Sequence, residues 1–393
     1  MRILLLSFYY PPDIGPGALR ARSLVDALID VADTQFHIDV MTTMPNRYHL
    51  LAVSAPANEQ DGPVSIQRFS LPPHQSGMVD QARAFLAYAR AVSKSSRVRQ
   101  WDIILTTSSR LMTATLGAWV AKRSGARLYI DVRDLFIDTI EDVLAKSPFR
   151  LLMPTFRLLE RWTFRTADKI NVVSSGFLPH IKGVAPALEP TVFTNGVDDE
   201  FVETDFLPSG SQDLPLVLYA GNMGQGQGLH HIIPAAASAL DGMVNFRIIG
   251  DGGERKTLQR LVDDKSLSNV RIIEPVPRNE LFEYYQEADI LFLHLNDYKA
   301  FQKVLPAKIF EYAATGKPIL AGVAGYAANF LREQVPGVEV FDPCDAESLQ
   351  SGLRRLLRGP RLIDRTEFCS LYLRKDIMRK MARDICALAK TAR

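Results

Sequence analysis

Short apolar runs alternate with longer amphipathic stretches along this chain, and the alternation occurs twice. Such runs are typical of buried parallel strands, and amphipathic stretches are typical of the helices that cover them. The first half predicts strands at 3–8, 36–42, 66–70, 103–106, 128–132 and 169–173, and helices at 18–28, 79–96, 111–124 and 154–166. The second half predicts strands at 216–220, 246–250, 270–274, 290–294, 319–322 and 338–341, and helices at 229–240, 255–265, 278–287, 308–314, 327–334 and 346–357. The pattern indicates an α/β fold of two doubly wound, Rossmann-like domains.

A polar segment at 208–213 interrupts the alternation and is the predicted linker between the domains. The N-terminal domain is therefore predicted to span 1–207 and the C-terminal domain 208–374. The last amphipathic helix, at about 375–393, is predicted to cross back onto the first domain. Ligands of such sheets bind outside the carboxyl ends of the strands, so we expect the active site in a cleft where the two domains face each other.

Composition and charge exclude some classes of protein. The chain has 393 residues, of which 47% are hydrophobic and 23% charged, and this length is too great for one hydrophobic core. Its net charge of +2 is nearly neutral and gives nucleic-acid binding no overall support. The odd cysteine count, Cys344, Cys369 and Cys386, fits a reducing cytoplasm and no disulfide scaffold. The opening apolar run lacks a signal-peptide cleavage site, and no run reaches the roughly 18 residues that cross a bilayer. We expect a soluble or peripheral protein.

Two charged residues lie on one face of the predicted helix at 308–314. Lys308 and Glu311 are three positions apart, just before a Gly-Lys-Pro stop. An ammonium group suits the phosphates of a nucleotide diphosphate, and a carboxylate accepts hydrogen bonds from ribose hydroxyls. The alternative is an ordinary solvated ion pair.

Glycine-rich loops follow three predicted strands. Gly15 and Gly17 lie between the first strand and the first helix, where close backbone approach and a helix amino terminus favour phosphate. The alternative is a strained connection that merely needs glycine, and Arg20 on this helix is a weaker phosphate candidate. The loop at 221–228 and the glycines from Gly250 repeat the arrangement in the second half.

Several motifs occur in an order that resembles a known family. "YAGNMGQGQGL", "RIIGDGGER", "LFEYYQEADILFLHL" and "LPAKIFEYAATGKPIL" resemble glycosyltransferase family 4 of the GT-B fold, over essentially the whole chain. "DVRDLFIDTIED" and the P-x-K-x-F-E-Y helix are similar to the bacterial N-acetyl-L-fucosamine transferases of O-antigen and capsule synthesis. The resemblance implies a retaining transferase without a metal or cofactor, whose nucleotide-sugar donor is held mainly by the second domain.

The resemblance also assigns residues. Glu311 matches the second glutamate of the family's E-x7-E motif, which contacts ribose, but Lys303 stands where the first glutamate belongs. The family's diphosphate-binding Arg and Lys are likewise absent from the loop, so Lys308 is expected to supply the positive charge. The expected donor-binding residues are Gly15, Gly17, Gly221, Asn222, Gln225, Gln227, Gly250, Lys308 and Glu311. Tyr298, Phe301 and Gln302 are expected to contact the sugar.

The implied chemistry is front-face attack by an acceptor hydroxyl, with the leaving diphosphate as base and stabilisation of its charge by Lys308 and loop amides. Lys308 and Glu311 are the catalytic candidates, together with Asp134, which either orients the acceptor, acts as a base or caps the next turn. The expected substrates are a UDP-sugar, such as UDP-linked N-acetyl-L-fucosamine, and an undecaprenyl-diphosphate-linked saccharide. The alternatives are a nucleotide-sugar epimerase and a non-catalytic nucleotide-sugar-binding protein.

The helix predicted at 154–166 combines basic and aromatic residues. Arg157, Arg161 and Arg165 form one stripe beside Trp162, as expected for an acceptor or membrane surface, although a core helix with a solvated cationic face fits equally. The helix at 79–96 is a second candidate. We therefore expect a cytoplasmic protein, peripheral on the inner leaflet of the inner membrane.

Overall fold

The computed structural model of the chain describes residues 1–13, 15–32, 36–45, 54–72, 78–108, 110–138, 151–207 and 214–390. They form two compact units, Met1–Asn195 with Arg374–Arg393, and Gly196–Leu373. The chain leaves the first unit earlier than the predicted boundary at 207, because Phe201 and Phe206 pack into the core of the second unit. The predicted linker at 208–213 lies outside the described residues.

The sheet of the first unit follows most of the predicted strands. The strands in chain order are β1 (Arg2–Ser7), β2 (His37–Thr43), β3 (Asn58–Asp61), β4 (Val64–Phe69), β5 (Ile103–Ser108), β6 (Arg127–Val132), β7 (Lys169–Val172) and β8 (Thr191–Val192). Their spatial order is β3-β4-β2-β1-β5-β6-β7-β8, and the described pairs are parallel except β3 with β4. β3 and β8 were not predicted, since β3 is wholly polar and exposed and β8 has two residues.

Helices cover this sheet on both faces. Among the described residues up to 184, the helices include α1 (Pro16–Val31), α2 (Met78–Ser95), α3 (Leu111–Ser124), α4 (Met153–Thr166) and α5 (Leu178–Val184). α3 packs on β1, β5 and β6 and contacts α2 and α4. The chain moves from β1 to β2 in one direction and from β5 to β6 in the other, so right-handed crossovers place α1 and α3 on opposite faces.

A buried ion pair fixes α1 to the sheet. The Arg20 guanidinium is fully buried and donates to both carboxylate oxygens of Asp131 on β6, at 2.8 and 3.0 Å. Its remaining Nη1 donates to the Thr194 carbonyl at 2.7 Å, and the Asn171 amide also donates to Asp131 at 2.7 Å. The suggestion that Arg20 binds phosphate is therefore wrong, because the group is committed to the core.

The second unit is built on a wholly parallel sheet. Its strands are β9 (Leu216–Ala220), β10 (Asn245–Ile249), β11 (Val270–Ile273), β12 (Ile290–His294), β13 (Ile319–Gly322) and β14 (Val338–Phe341), in the spatial order β11-β10-β9-β12-β13-β14. Strand order reverses between β9 and β12, and loops at such a reversal are where ligands of these sheets bind. This places the loop after β9 beside the end of β12.

The α-helices of the second unit lie between these strands, as the alternation predicted, and also before β9 and after β14. They are α6 (Asp199–Val202), α7 (Leu229–Ala239), α8 (Arg255–Asp264), α9 (Arg278–Glu287), α10 (Lys308–Ala314), α11 (Gly325–Gln334), α12 (Ala346–Leu356) and α13 (Thr366–Leu371). The last helix, α14 (Arg374–Lys390), belongs to the first unit and packs along α1. The predicted return of the C-terminal helix to the first domain is confirmed.

Candidate functional site

The loop at 221–228, here called the glycine loop, leaves the end of β9 and is held by the neighbouring strand end. Gly221 donates its N–H to the Ile249 carbonyl and Met223 to the Asp251 carbonyl, both at 2.8 Å. Gly250 has φ of 142°, and a Cβ there would lie 1.8 Å from the Gly221 carbonyl oxygen. The two loops therefore pack backbone against backbone, which a larger residue at 250 would prevent.

The polar side chains of the glycine loop bind mainly to the loop itself. The Gln227 Oε1 accepts hydrogen bonds from Asn222 Nδ2 at 2.6 Å and from the Gly224 N–H at 3.2 Å. Gln225 Nε2 donates to the Tyr298 hydroxyl at 3.2 Å. Asn222, Gln225 and Gln227 were predicted to bind the donor; in the described structure these contacts shape the loop and tie it to Tyr298, and donor binding stays a prediction.

Lys308 begins α10 and lies directly over the glycine loop. A Cβ on Gly221 would be 2.5 Å from the Lys308 Cε, so the absence of a side chain at 221 makes room for the lysine. Burial lowers the pKa of Lys308, Arg278 lowers it further, and Glu311 opposes the shift. The ammonium is 3.8 Å from the Glu311 carboxylate, and the side chains are 23% and 11% exposed. This is not the solvated pair that was the alternative explanation.

A tyrosine of α10 itself fixes the position of this helix against β9. Tyr312 is fully buried, and its hydroxyl accepts a hydrogen bond from the Ala220 N–H, the last residue of β9, at 3.2 Å. Lys308 and Glu311 share this short helix with Tyr312, so the contact brings both charged groups to the end of β9. The structure thus assembles the glycine loop, Lys308 and Glu311 in one place.

Arg278 is a cation of this region that the sequence analysis missed. It is the first residue of α9, and its guanidinium pairs with Asp198 at 2.5 Å and Glu200 at 2.9 Å. Its charge is near enough to lower the pKa of Lys308, and Glu311 in turn helps to raise the pKa of Arg278. Its location at a helix start, in the connection that follows β11, is the signal that was available for finding it.

Two aromatic residues form a wall beside the glycine loop. A Cβ on Gly226 would lie 2.9 Å from the Phe301 ring, and the Tyr298 and Phe301 ring centroids are 5.5 Å apart. Gln302 is exposed, and its backbone lies against Gly325. The loop and both aromatics come together as expected, whereas their contact with a sugar stays a prediction.

The first unit contains a smaller cluster around its own glycine turn. Gly15 is the residue before α1, and a Cβ on Gly17 would lie 2.2 Å from the Arg133 Nη1. Burial raises the pKa of the adjacent Asp134 to about 6, Asp138 adds to the rise, and the Leu135 N–H and Arg133 oppose it. The raised pKa is what a proton-accepting group near neutrality requires, and the capping alternative stays a prediction.

The basic stripe on α4 is exposed. Arg157, Arg161 and Arg165 face solvent, Trp162 is half-buried, and Arg165 Nε also donates to the Val184 carbonyl at 2.9 Å. Leu158 lies among these arginines with 68% of its surface exposed. In the part of the chain that the structure describes, no helix is long and apolar enough to cross a membrane, and no three His, Cys, Asp or Glu residues cluster as a metal site would require.

Sequence families match both units. Residues 18–196 match the family described as glycosyl transferase 4-like domain, and residues 203–369 match glycosyl transferases group 1. The two matches lie in the first and second unit respectively, in the arrangement of a GT-B glycosyltransferase. The chain is therefore a group 1 glycosyltransferase with the GT-B fold.

Individual relatives and solved structures also resemble the chain. A candidate colanic acid biosynthesis glycosyl transferase, WcaI of Escherichia coli (strain K12), is 25% identical over 279 residues, covering 67% of this chain and 68% of the relative. Sucrose-phosphate synthase of Thermosynechococcus elongatus superposes with a TM-score of 0.71 at 17% identity, covering 99% of this chain and 96% of that one. Anabaena HepE, solved with UDP and glucose, gives 0.69 at 16%, covering 98% and 99%. At these identities the solved structures establish the shared fold.

Proposed function

We propose that this protein is a retaining, metal-independent glycosyltransferase of bacterial surface polysaccharide synthesis. It moves a sugar, in our proposal an N-acetylated deoxyhexosamine such as N-acetyl-L-fucosamine, from a UDP-linked donor to a lipid-diphosphate-linked saccharide. The colanic acid assignment of WcaI supports the polysaccharide role, and the UDP and glucose in the HepE structure support the class of donor. The finer identity of the sugar follows the motif resemblance.

One observation carries the proposal. The Lys308 ammonium is enclosed above the glycine loop at the strand-order reversal of the second unit, within 3.8 Å of Glu311. An enclosed cation beside backbone amides suits the two charges of a diphosphate, and the adjacent carboxylate suits ribose hydroxyls. Because the loop carries no Lys or Arg, Lys308 is the cation that we assign to the leaving group.

The proposed reaction needs no enzyme nucleophile. The acceptor hydroxyl oxygen forms a bond to the anomeric carbon on the face from which the diphosphate leaves, and its proton passes to the departing phosphate oxygen. Lys308 and the loop amides stabilise the negative charge that develops on that group. We assign Asp134 of the first unit to the acceptor hydroxyl, which it orients through a hydrogen bond while it is ionised.

We further propose that the first unit binds the cytoplasmic face of the inner membrane, where a lipid-linked acceptor resides. α2, α3 and α4 form one layer on the same face of the sheet, since α3 contacts both of the others. Exposed apolar side chains occur on each helix, namely Leu86, Trp119 and Leu158, at 50%, 39% and 68% exposure. The exposed basic residues of the layer are Arg83, Arg90, Lys94, Lys122, Arg123, Arg157, Arg161 and Arg165.

The charge of this layer is one-sided. Of its acidic residues, Asp80 on α2 is half-buried and Glu160 on α4 is buried against His180, at 3.1 Å. An anionic bilayer surface attracts a protein face on which cations surround apolar side chains. The bilayer buries the apolar side chains, and its anionic lipids neutralise the cations. The three-helix layer therefore fits an anionic lipid surface better than α4 alone does.

Transfer of a labelled sugar tests the function. UDP-sugars are incubated with the protein and a polyprenyl-diphosphate-linked saccharide, with EDTA present, and the lipid product is analysed by NMR. We expect transfer, with the anomeric configuration of the donor retained in the product. Conversion of the donor without acceptor would favour the epimerase, and donor binding without turnover would favour the non-catalytic protein.

A further inference from the structure

A neutral histidine holds one end of the glycine loop. His294, the last residue of β12, is fully buried, and its Nδ1 is 2.6 Å from the Gln227 carbonyl oxygen. Its Nε2 accepts the Cys344 N–H at 3.0 Å. Since a carbonyl only accepts, Nδ1 carries the proton and Nε2 does not, which fixes one neutral tautomer. Burial lowers the pKa of His294 to about 4, so the arrangement persists at neutral pH.

Asn296 holds the middle of the same loop. Its backbone N–H donates to the Gly226 carbonyl at 2.8 Å, and its Nδ2 donates to the Gln225 carbonyl at 3.0 Å. Its Oδ1 accepts from the Cys344 thiol at 3.3 Å, which links it to the histidine contact. Three consecutive loop carbonyls are thus drawn toward the end of β12.

The direction of these carbonyls sets the direction of the amides. In a trans peptide the N–H of one residue points opposite to the carbonyl of the residue before it. Because the Gln225 carbonyl is held inward, the Gly226 N–H points outward. The Gly224 carbonyl is held in turn by the N–H groups of Gln227 and Gly228, so the Gln225 N–H points outward as well. Among the described residues, the N–H groups of Gln225 and Gly226 have no protein acceptor.

We infer that His294 and Asn296 are positioning residues, which hold the glycine loop so that the N–H groups of Gln225 and Gly226 point at the donor diphosphate. The inference rests on the proposed function. The loop carries no Lys or Arg, so besides Lys308 its amides are the donors that it offers to phosphate oxygens. Amide donors act only in the direction that the backbone gives them, so the anchoring contacts matter more here than in a loop with a flexible lysine.

Asn296→Asp tests the inference. The aspartate keeps an oxygen for Cys344 but replaces the Nδ2 donor with a second oxygen facing the Gln225 carbonyl. The dissociation constant of UDP is measured by calorimetry and that of uridine by ligand-observed NMR. We expect UDP binding to weaken about tenfold and uridine binding to stay within about twofold, since uridine lacks phosphate. Asn296→Ser, which removes the Nδ2 donor without adding charge, is expected to weaken UDP in the same sense.

Two controls separate positioning from general stability. Asn269 is also buried, and its Nδ2 holds the Ala237 and Val244 carbonyls at 3.0 and 3.3 Å, so Asn269→Asp makes the same exchange away from the loop. It is expected to lower Tm and leave the ratio of UDP to uridine affinity unchanged. Cys344→Ser keeps a donor to Asn296 and is expected to bind UDP like the wild type.

The outcomes distinguish this inference from the proposed function. Wild-type protein that binds none of UDP, GDP, ADP and dTDP overturns both. Wild-type binding of UDP that Asn296→Asp and Asn296→Ser retain, or an equal loss of UDP and uridine affinity in both variants, overturns the positioning role alone. A selective loss of UDP affinity that Asn269→Asp does not share supports it.

Discussion

The two units each place a glycine turn after the first strand of a sheet, and a cation lies against the turn in both, but the ionisable groups beside that cation differ. In the first unit, Gly17 lies against the Arg133 guanidinium, and the adjacent Asp134 has a pKa raised by burial. In the second unit, Gly221 lies under Lys308, whose pKa is lowered by burial. Burial in the first unit favours the protonated form of Asp134, and burial in the second unit shields the Lys308 ammonium from solvent.

The comparison shows how the same backbone feature, a glycine turn after a strand, can suit two different ligand groups. A glycine turn offers amides and space in both units, and the charged residues nearby, Arg133 with Asp134 or Lys308 with Glu311, decide what it suits. We assign the lysine side to a leaving diphosphate and the carboxyl side to an acceptor hydroxyl. Variants of each unit should therefore affect different kinetic parameters.

Lys308→Ala should give the largest effect. It removes the cation assigned to the leaving diphosphate, so we expect kcat/KM to fall about 10²-fold or more, with much of the loss in donor KM because the variant also binds the diphosphate less tightly. Initial rates of sugar transfer measure it. Lys265→Ala, an exposed lysine at the end of α8, is the control and should retain wild-type rates. Comparable rates in Lys308→Ala and the wild type would contradict the assignment.

Glu311→Gln should give the second largest effect. The loss of a ribose-binding carboxylate is expected to cost about 1.5–3 kcal/mol, or about 10- to 100-fold in donor KM. Glu311 also raises the pKa of Lys308, so its removal should lower that pKa further. The alkaline fall of kcat/KM should then begin at lower pH than in the wild type. An alkaline limb that does not move would separate Glu311 from Lys308.

Asp134→Asn should lower the rate less than the two changes above and should raise stability at alkaline pH. We expect about a tenfold lower kcat and, in the wild type, an acid limb of kcat/KM near pH 6 that the variant lacks. The native state holds the Asp134 proton more tightly than the unfolded state does, so the carboxyl stabilises the fold below about pH 4. That contribution is lost as pH rises through 6.

Chemical denaturation at two pH values measures the stability side. At pH 8 the Asn variant should be more stable than the wild type by about 1–2 kcal/mol, less than the full shift because the residue is partly exposed. At pH 4 the two proteins should unfold alike. A variant that is destabilised at both pH values would assign Asp134 to the cap on the next turn alone.

Reversal of charge on α4 should give the smallest effect on chemistry. Arg157→Glu with Arg161→Glu is expected to weaken binding to vesicles containing anionic lipid about tenfold or more, at roughly 1 kcal/mol per lost cation, and to make it less dependent on salt. Transfer to a soluble acceptor analogue should be unchanged. Arg354→Glu with Arg358→Glu, two arginines of the second unit at the end of α12, is the control. Equal vesicle binding by both double variants would exclude the proposed face.

Much of the fold follows from local pattern, and its exceptions have physical reasons. β9 is an uninterrupted apolar run and β12 is apolar up to its last residue, His294, and the structure buries every residue of each. β3 escaped prediction because its four polar residues are exposed at an edge and pair only through backbone. Arg20 was misjudged because its partner Asp131 lies 111 positions away, and nothing local distinguishes a committed arginine from an available one.

The candidate site shows the same division. Lys308, Glu311 and the glycines could be proposed from the sequence because their spacing and strand-end positions carry meaning without tertiary information. His294 and Asn296 were missed because their targets are backbone carbonyls, which every sequence has. Arg278 was missed because its relation to Lys308 and Glu311 depends on the strand-order reversal that brings distant strand ends together.

The most direct test of the account is the thermal shift that UDP produces in the wild type and in Lys308→Ala. A ligand that binds only the folded state raises Tm, and the rise grows with the logarithm of the ligand concentration divided by its dissociation constant. We predict a clear rise for the wild type and little or none for the variant, because the diphosphate loses its enclosed cation. An equal rise in both proteins, or no rise with the wild type, would contradict the claim that Lys308 and the glycine loop hold the donor.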